Sequence, residues 1–258
     1  MDGLTKRCNL VRLNLQHYDH AFEENTMRIT LALLTLVITL TNFADDSSFK
    51  QTFDIPKDHF VSAGKNDYFN IEPGFQMVLE GKEDGEAAKL VISVLNETRV
   101  VDGVETRIVE ERESQGGELV EVSRNYFAID KISGDIYYFG ESVDIYKDGK
   151  VAEHGGSWES GKDGAHFGMF MPAKCEKGAK YYQEVAPKVA MDRFEIVSTT
   201  ETVKVPAGEY KNCVKVEETT PLESGTEYKL YAPGVGLLID GGLKLTKFGM
   251  NIEPLGGK

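Results

Sequence analysis

"NETRVVDGVETRIVEERE", from Asn96 to Glu113, holds two runs of β-branched and alternating polar residues around one Asp102-Gly103 pair. An Asp-Gly pair suits a two-residue hairpin, because both central residues can take positive φ. The stretch therefore reads as two antiparallel strands, Lys89–Val101 and Glu105–Arg112, joined by a tight turn. The same grammar recurs along the chain. Turn pairs stand at Gly116-Gly117, Ser133-Gly134, Asp148-Gly149, Asp163-Gly164, Ala207-Gly208 and Ser224-Gly225. Spacing of roughly 10–15 residues between turns predicts an antiparallel meander.

Further strands are expected at Gln76–Glu80, Leu119–Ile129, Ile136–Glu141, Val143–Lys147 and Tyr181–Val185. Others follow at Glu195–Val205, Glu209–Glu218, Thr226–Ala232, Gly236–Ile239 and Leu243–Phe248. In "TVKVP", Val203 and Val205 face one way and Thr202 and Lys204 the other, the pattern of a sheet buried on one face. Helical periodicity is nearly absent after Ala44.

Three blocks repeat at a nearly constant offset. "PGFQMVLE" aligns with "KGAKYYQE", placing Gly74 on Gly178 and Glu80 on Glu184. The opening hairpin aligns with "TETVKVPAGEYKNCVKVEE", placing Gly103 on Gly208. "NYFAID" then aligns with "LYAPGVG", placing Tyr126 on Tyr231. The expected fold is all-β and antiparallel, with two related sheet units (66–147 and 172–250) forming a sandwich or a curved half-barrel of about eight to twelve strands. Between them, 148–171 reads as an irregular Gly-rich insert on a rigid scaffold, where binding residues tend to sit.

Ahead of the β domain (45–258), "MRITLALLTLVITLTNFA" (Met27–Ala44) has the layout of a secretory signal peptide: Arg28, an apolar run, then small Ala44 before Asp45. The run is shorter than the ~20 residues that span a bilayer, so no membrane span is expected after cleavage. Residues 1–26 make a poor leader start and read as an over-extended reading frame. Bases and acids balance in 1–44 (Lys6, Arg7, Arg12 and Arg28 against Asp2, Asp19, Glu23 and Glu24), so the β domain keeps the formal charge of −13. Such a surface is repelled by phosphate backbones, and nucleic acid is not an expected partner.

No catalytic constellation emerges. A G-x-S-x-G elbow is absent, and among many acids no carboxylate pair is singled out. His154 and His166, with Glu153, Glu159 and Asp163 nearby, form a weak candidate metal set; no cofactor is expected. Trp158, His166, Met169, Phe170 and Met171 are the candidate ligand-binding residues, because the sole Trp and an apolar cluster fall in the insert. The competing reading is a buried plug. Cys213 alternates with Val214 and Val216 in a strand pattern; it reads either as a small core residue or as a disulfide partner of Cys175, which export would permit.

"NDYFNIEPG", "ETRVVDGVETRIVEERE", "NYFAIDKISGDIYYFGE", "HGGSWESGKDGAHFGMFMPA", "YYQEVAPKVAMDRFEIVS" and "KLYAPGVGLL" carry a resemblance. Through them the chain resembles a broad group of exported bacterial β-rich proteins that has no established activity to transfer. "PAGEYKNC" and "YAPGVG" are also similar to short motifs of exported β-sheet proteins, some related to lipoprotein carriers with curved open barrels. The resemblance implies a periplasmic, cell-surface or secreted protein. The expected function is non-enzymatic: holding an apolar or amphipathic ligand against a curved sheet. Alternatives are a structural or interaction module with an envelope-protein partner and, behind both, a carboxylate- or metal-dependent hydrolase.

Overall fold

A computed structural model of the chain describes residues 48–254. The leader at 1–44 lies outside the described residues. Strands β1 (Phe60–Val61), β2 (Phe75–Glu83), β3 (Glu86–Val101), β4 (Val104–Gln115), β5 (Glu118–Asp130) and β6 (Ile136–Lys147) come first. β7 (Lys150–Glu153), β8 (Trp158–Glu159), β9 (His166–Met171), β10 (Lys180–Tyr182) and β11 (Glu184–Val185) follow. β12 (Arg193–Val205), β13 (Gly208–Thr219), β14 (Glu227–Ala232), β15 (Gly236–Asp240) and β16 (Leu243–Met250) complete the set. All sixteen belong to one antiparallel sheet, and no α-helix occurs among the described residues.

The Asp102-Gly103 pair makes the expected turn. Asp102 has φ 49 and Gly103 φ 75, and Val101 pairs with Val104. Two positive φ values in a two-residue loop define the hairpin type whose twist matches its strands. Asp84-Gly85 and Asp148-Gly149 repeat the device between β2 and β3 and between β6 and β7.

Neighbouring strands run in the order β10-β12-β13-β14-β15-β16-β2-β3-β4-β5-β6-β9-β11. Thus β2 to β5, and β10 with β12 to β14, each lie side by side in chain order. The two ends of this path are consecutive in sequence. β10 pairs with β12 at one edge (Tyr181 with Phe194), and β11 pairs with β9 at the other (Glu184 with Phe167). Only Gln183 separates them, so one segment of backbone reaches both edges and nearly closes the sheet into a barrel. Closure hides the edges that an open sheet would expose. The curved form is therefore realised as one sheet, not as two packed ones.

Alternation sorts side chains into two aromatic layers. Tyr137 and Phe139 point outward from β6, where Phe53, Phe60 and Phe167 cover them at ring separations of 4.7–5.8 Å. Tyr138 points inward, stacked on Phe127 at 4.9 Å, with Phe170 packed on Phe127 at 4.6 Å. Tyr138 and Phe127 are fully buried, and each such side chain contributes roughly 1.5–3 kcal/mol. Asn66 ties the N-terminal approach to the barrel through bonds from Nδ2 to the carbonyls of Gly134 and Met171.

Two expectations change here. Segment 148–171 is not irregular, because it supplies β7, β8 and β9, all paired with β6. These strands have two to six residues, which Gly-rich flanks disguise. Such short pieces also carry the strand number past the expected range.

Candidate functional site

The barrel interior holds a cavity of about 40 Å³. That is room for a few waters, far below the 300–1,000 Å³ usual for small-molecule sites. Apolar walls come from Phe69, Phe75, Met77, Ile92, Phe170 and Tyr231, among others, and the polar floor from Glu111, Gln183, Lys229 and Asp240. Lys229 Nζ lies 2.9 Å from Glu218 Oε2 and 4.0 Å from Asp240 Oδ2, and Gln183 Nε2 donates to Glu218 Oε1 at 3.2 Å. Register explains the convergence. Lys229 stands opposite both Asp240 and Val216, and Glu111 stands opposite Ile92 and Ser123, so these side chains share the inner face.

Acids dominate this interior. Burial pushes the Glu111 carboxyl up to about 7, and burial with neighbouring Glu218 pushes Asp192 up to about 7. Burial likewise holds Glu113, Glu141 and Glu184 well above the usual carboxylate range. Burial works against the Lys229 ammonium, but Asp240 and Glu218 outweigh it and hold its pKa high. Among the described residues neither oxygen of Glu141, nor Oε2 of Glu184, meets a donor in regular hydrogen-bond geometry, although the Tyr138 hydroxyl stands near enough to Glu141 to favour its charged form. The nearby Tyr138 hydroxyl gives its proton to Asn125 Oδ1 at 2.7 Å.

A larger cleft of about 350 Å³ opens beside β8. Arg99, Tyr126, Trp158, Glu159, Lys162 and Pro187 are among its lining residues. The Arg99 guanidinium lies 5.0 Å from the Tyr126 ring centre and pairs with Glu159, which also meets Lys162 at 2.5 Å. Although partial burial opposes it, these two cations hold the Glu159 carboxyl below its usual range. Pairing of Glu141 with Trp158 and of Gly140 with Glu159 sets the cleft on β6. Gly140 has no alternative, because a Cβ there would overlap the Trp158 carbonyl.

The five predicted ligand residues do not converge. Trp158 lines the cleft, is 6% exposed and meets Tyr138 edge-on at 5.3 Å. Phe170 lines the interior cavity instead. Met169 and Met171 are buried in the core, as the plug reading anticipates for them. The His166 ring makes a 3.4 Å contact with the carbonyl of its neighbour Phe167. His154 is bound to Asp144 at 2.7 Å, and no group of three or more metal-binding side chains forms among the described residues. Cys175 and Cys213 are both free thiols, which corrects the disulfide alternative. Cys213 is fully buried on β13, the core position that its alternation suggests, while Cys175 lies against Met171 and the Pro172 carbonyl. Nothing in the sequence singles out Arg99, Glu141 or Lys162, since charged residues abound and only pairing brings them together; Glu159 enters there only beside the candidate metal set and Tyr126 only as the repeat counterpart of Tyr231.

No family model matches the chain, and no curated protein matches it. Among solved structures, the chain is similar to one described as a "putative lipoprotein" from Parabacteroides distasonis. Identity is 14%, the match covers 72% of this chain and 100% of that one, and the TM-score is 0.36. Among the described residues no helix is long and apolar enough to cross a membrane.

Proposed function

We propose that the protein is an exported envelope or secreted barrel that binds a small amphipathic ligand in the cleft beside Trp158. The observation behind this reading is the cleft itself. At about 350 Å³ it has the size of a small-molecule site, whereas the barrel interior is too small for one. Its lining mixes aromatic and aliphatic surface (Trp158, Tyr126, Pro187, Val189) with the Arg99–Glu159–Lys162 charges. That mixture suits a molecule with one apolar and one polar side. Export rests on the Met27–Ala44 pattern.

Trp158 is the sole Trp of the chain, so its fluorescence reports on the cleft. The test is native mass spectrometry of protein purified from its own host, followed by titration of any released molecule against Trp158 emission. A retained small molecule that shifts the emission, and loses affinity in the Arg99→Ala, Lys162→Ala double variant, supports the proposal. A clean unliganded mass, with emission unmoved by host extracts, removes it.

The filled interior favours a second reading, a structural or interaction module of the envelope. A stoichiometric protein partner recovered by pull-down, with no small molecule retained, would favour this one.

A further inference from the structure

We propose that the short strand β11 is a pH-operated latch on the barrel: it holds the sheet closed while the acids behind it are neutral, and their ionisation releases it. This goes beyond the cleft-binding reading and does not depend on it.

Closure is asymmetric. β10 is held from two sides, by β12 and by the backbone of Lys50, which bonds the Lys180 carbonyl at 3.1 Å and the Tyr182 amide at 2.9 Å. β11 has two residues and pairs only with β9, Glu184 with Phe167 and Val185 with His166. The following turn is closed on itself, with Ala186 N bonding the Ala190 carbonyl at 2.7 Å and Ala190 N returning to Ala186 at 2.9 Å. Detaching β11 from β9 therefore breaks few bonds and leaves both neighbours folded.

The chemistry behind the latch is acidic. Glu184 is 0% exposed; its Oε1 accepts the Asp192 amide at 2.7 Å, and its Oε2 has no hydrogen-bond partner among the described residues. Glu141 of β6, 1% exposed, meets no donor in regular hydrogen-bond geometry among the described residues, has Tyr138 beside it, and its charge acts on Glu184. The other titratable groups acting on this pair are Tyr138 of β6, Glu111 of β4, Glu121 of β5, Asp192 and Glu218 of β13. Glu113 of β4, Lys229 and Tyr231 of β14 and Asp240 of β15 lie in the same network. Lys229 is a cation of this network, and it is engaged by Glu218 and Asp240. On the β9 side, His166 stands opposite Val185.

A neutral carboxyl can stay buried at little cost, whereas a buried carboxylate lacking donors is expensive. Proton loss then puts like charges in a closed, poorly solvated interior. Burial supports the direction, raising Glu141 and Glu184 well above their usual range and Glu111 and Asp192 to about 7. For acids raised in the folded state, stability is full below the unfolded pKa values and falls as pH rises through the folded ones. The latch therefore loosens from mildly acidic toward alkaline pH.

The test is hydrogen exchange by mass spectrometry on the full chain between about pH 5.5 and about pH 8, with rates corrected for intrinsic base catalysis. Segments 166–171 and 183–190 are expected to lose protection about tenfold or more across that range, while the β3–β4 hairpin does not. Glu184→Gln and Glu141→Gln should each blunt that loss. Equal behaviour of the seam and the hairpin at every pH overturns the proposal, as does an unchanged pH dependence in both variants. The wild-type series decides alone if neither variant folds.

Discussion

The bare Cα of Gly168 faces the carbonyl oxygen of Gln183, where β10 gives way to β11. A Cβ at Gly168 would overlap that oxygen and the Tyr182 carbonyl as well, both fixed backbone atoms. Gly168→Ala should therefore destabilise the protein by about 1–3 kcal/mol or more, as overpacking does. Gly155 has open space around it and no positive φ, so Gly155→Ala should stay within about 0.5 kcal/mol of wild type. Urea midpoints of both variants check the contrast; equal midpoints would show that the sheet tolerates a side chain at its seam.

The Asp102-Gly103 turn separates backbone strain from packing. Gly103 has φ 75, and its nearest neighbours, the Lys57 side-chain atoms at 3.7–3.8 Å, leave room for a methyl group. Gly103→Ala should thus cost about 1–2 kcal/mol through the left-handed backbone alone. Lys57 Nζ contacts the Asp102 carboxylate at 2.8 Å in an exposed setting, so Lys57→Ala should cost less than about 1 kcal/mol. Thermal unfolding of the two variants should rank them in that order, and the reverse ranking would contradict it.

How far the fold is legible follows from range. Local turn chemistry and alternation identify most of the long strands, because Asp102-Gly103 and its relatives act within a few residues, but β6 reads as two strands and β9 is hidden in the Gly-rich segment. β8, two residues long, exists only through its pairing with β6, so no local pattern announces it, and although β11 lies within the expected strand Tyr181–Val185, nothing local shows that the chain leaves one edge of the sheet for the other at Gln183. Trp158 was legible as unusual, and it does line the cleft. Glu141 was not, since its burial depends on the register that sets it opposite Asn125 and Trp158. Phe170 and Met169 are neighbours in sequence, yet alternation sends Phe170 to the inner cavity and Met169 against Tyr137.

Both described thiols should be unreactive in the folded protein. Burial, with Asp135 and Asp67 nearby, pushes the Cys175 thiol up to about 12, and burial raises that of fully buried Cys213. The thiolate is the nucleophile, so alkylation by iodoacetamide at mildly alkaline pH should be slow until the protein is unfolded in urea. Peptide mass spectrometry reads each site separately. Rapid native labelling at Cys175 would mean that its setting beside Met171 opens readily.

Lys229 provides the sharpest electrostatic test. Its ammonium, 12% exposed, neutralises Glu218, 5% exposed, across 2.9 Å. Lys229→Met keeps the side-chain volume but leaves the Glu218 carboxylate without its cation, at a cost of about 3–5 kcal/mol for a broken buried pair. The wild-type ammonium is held above its usual range, so its contribution is complete below the unfolded value of 10.5 and lost only as pH rises through the folded one. Across about pH 5 to 8 the wild-type ammonium therefore stays charged, while in the variant Glu111 and Asp192, whose ionised forms it favours, ionise without that help. The destabilisation should be larger at about pH 8 than at about pH 5. Urea unfolding of both proteins at the two pH values measures the difference, and an equal loss at both would show that Lys229 acts by packing rather than by charge.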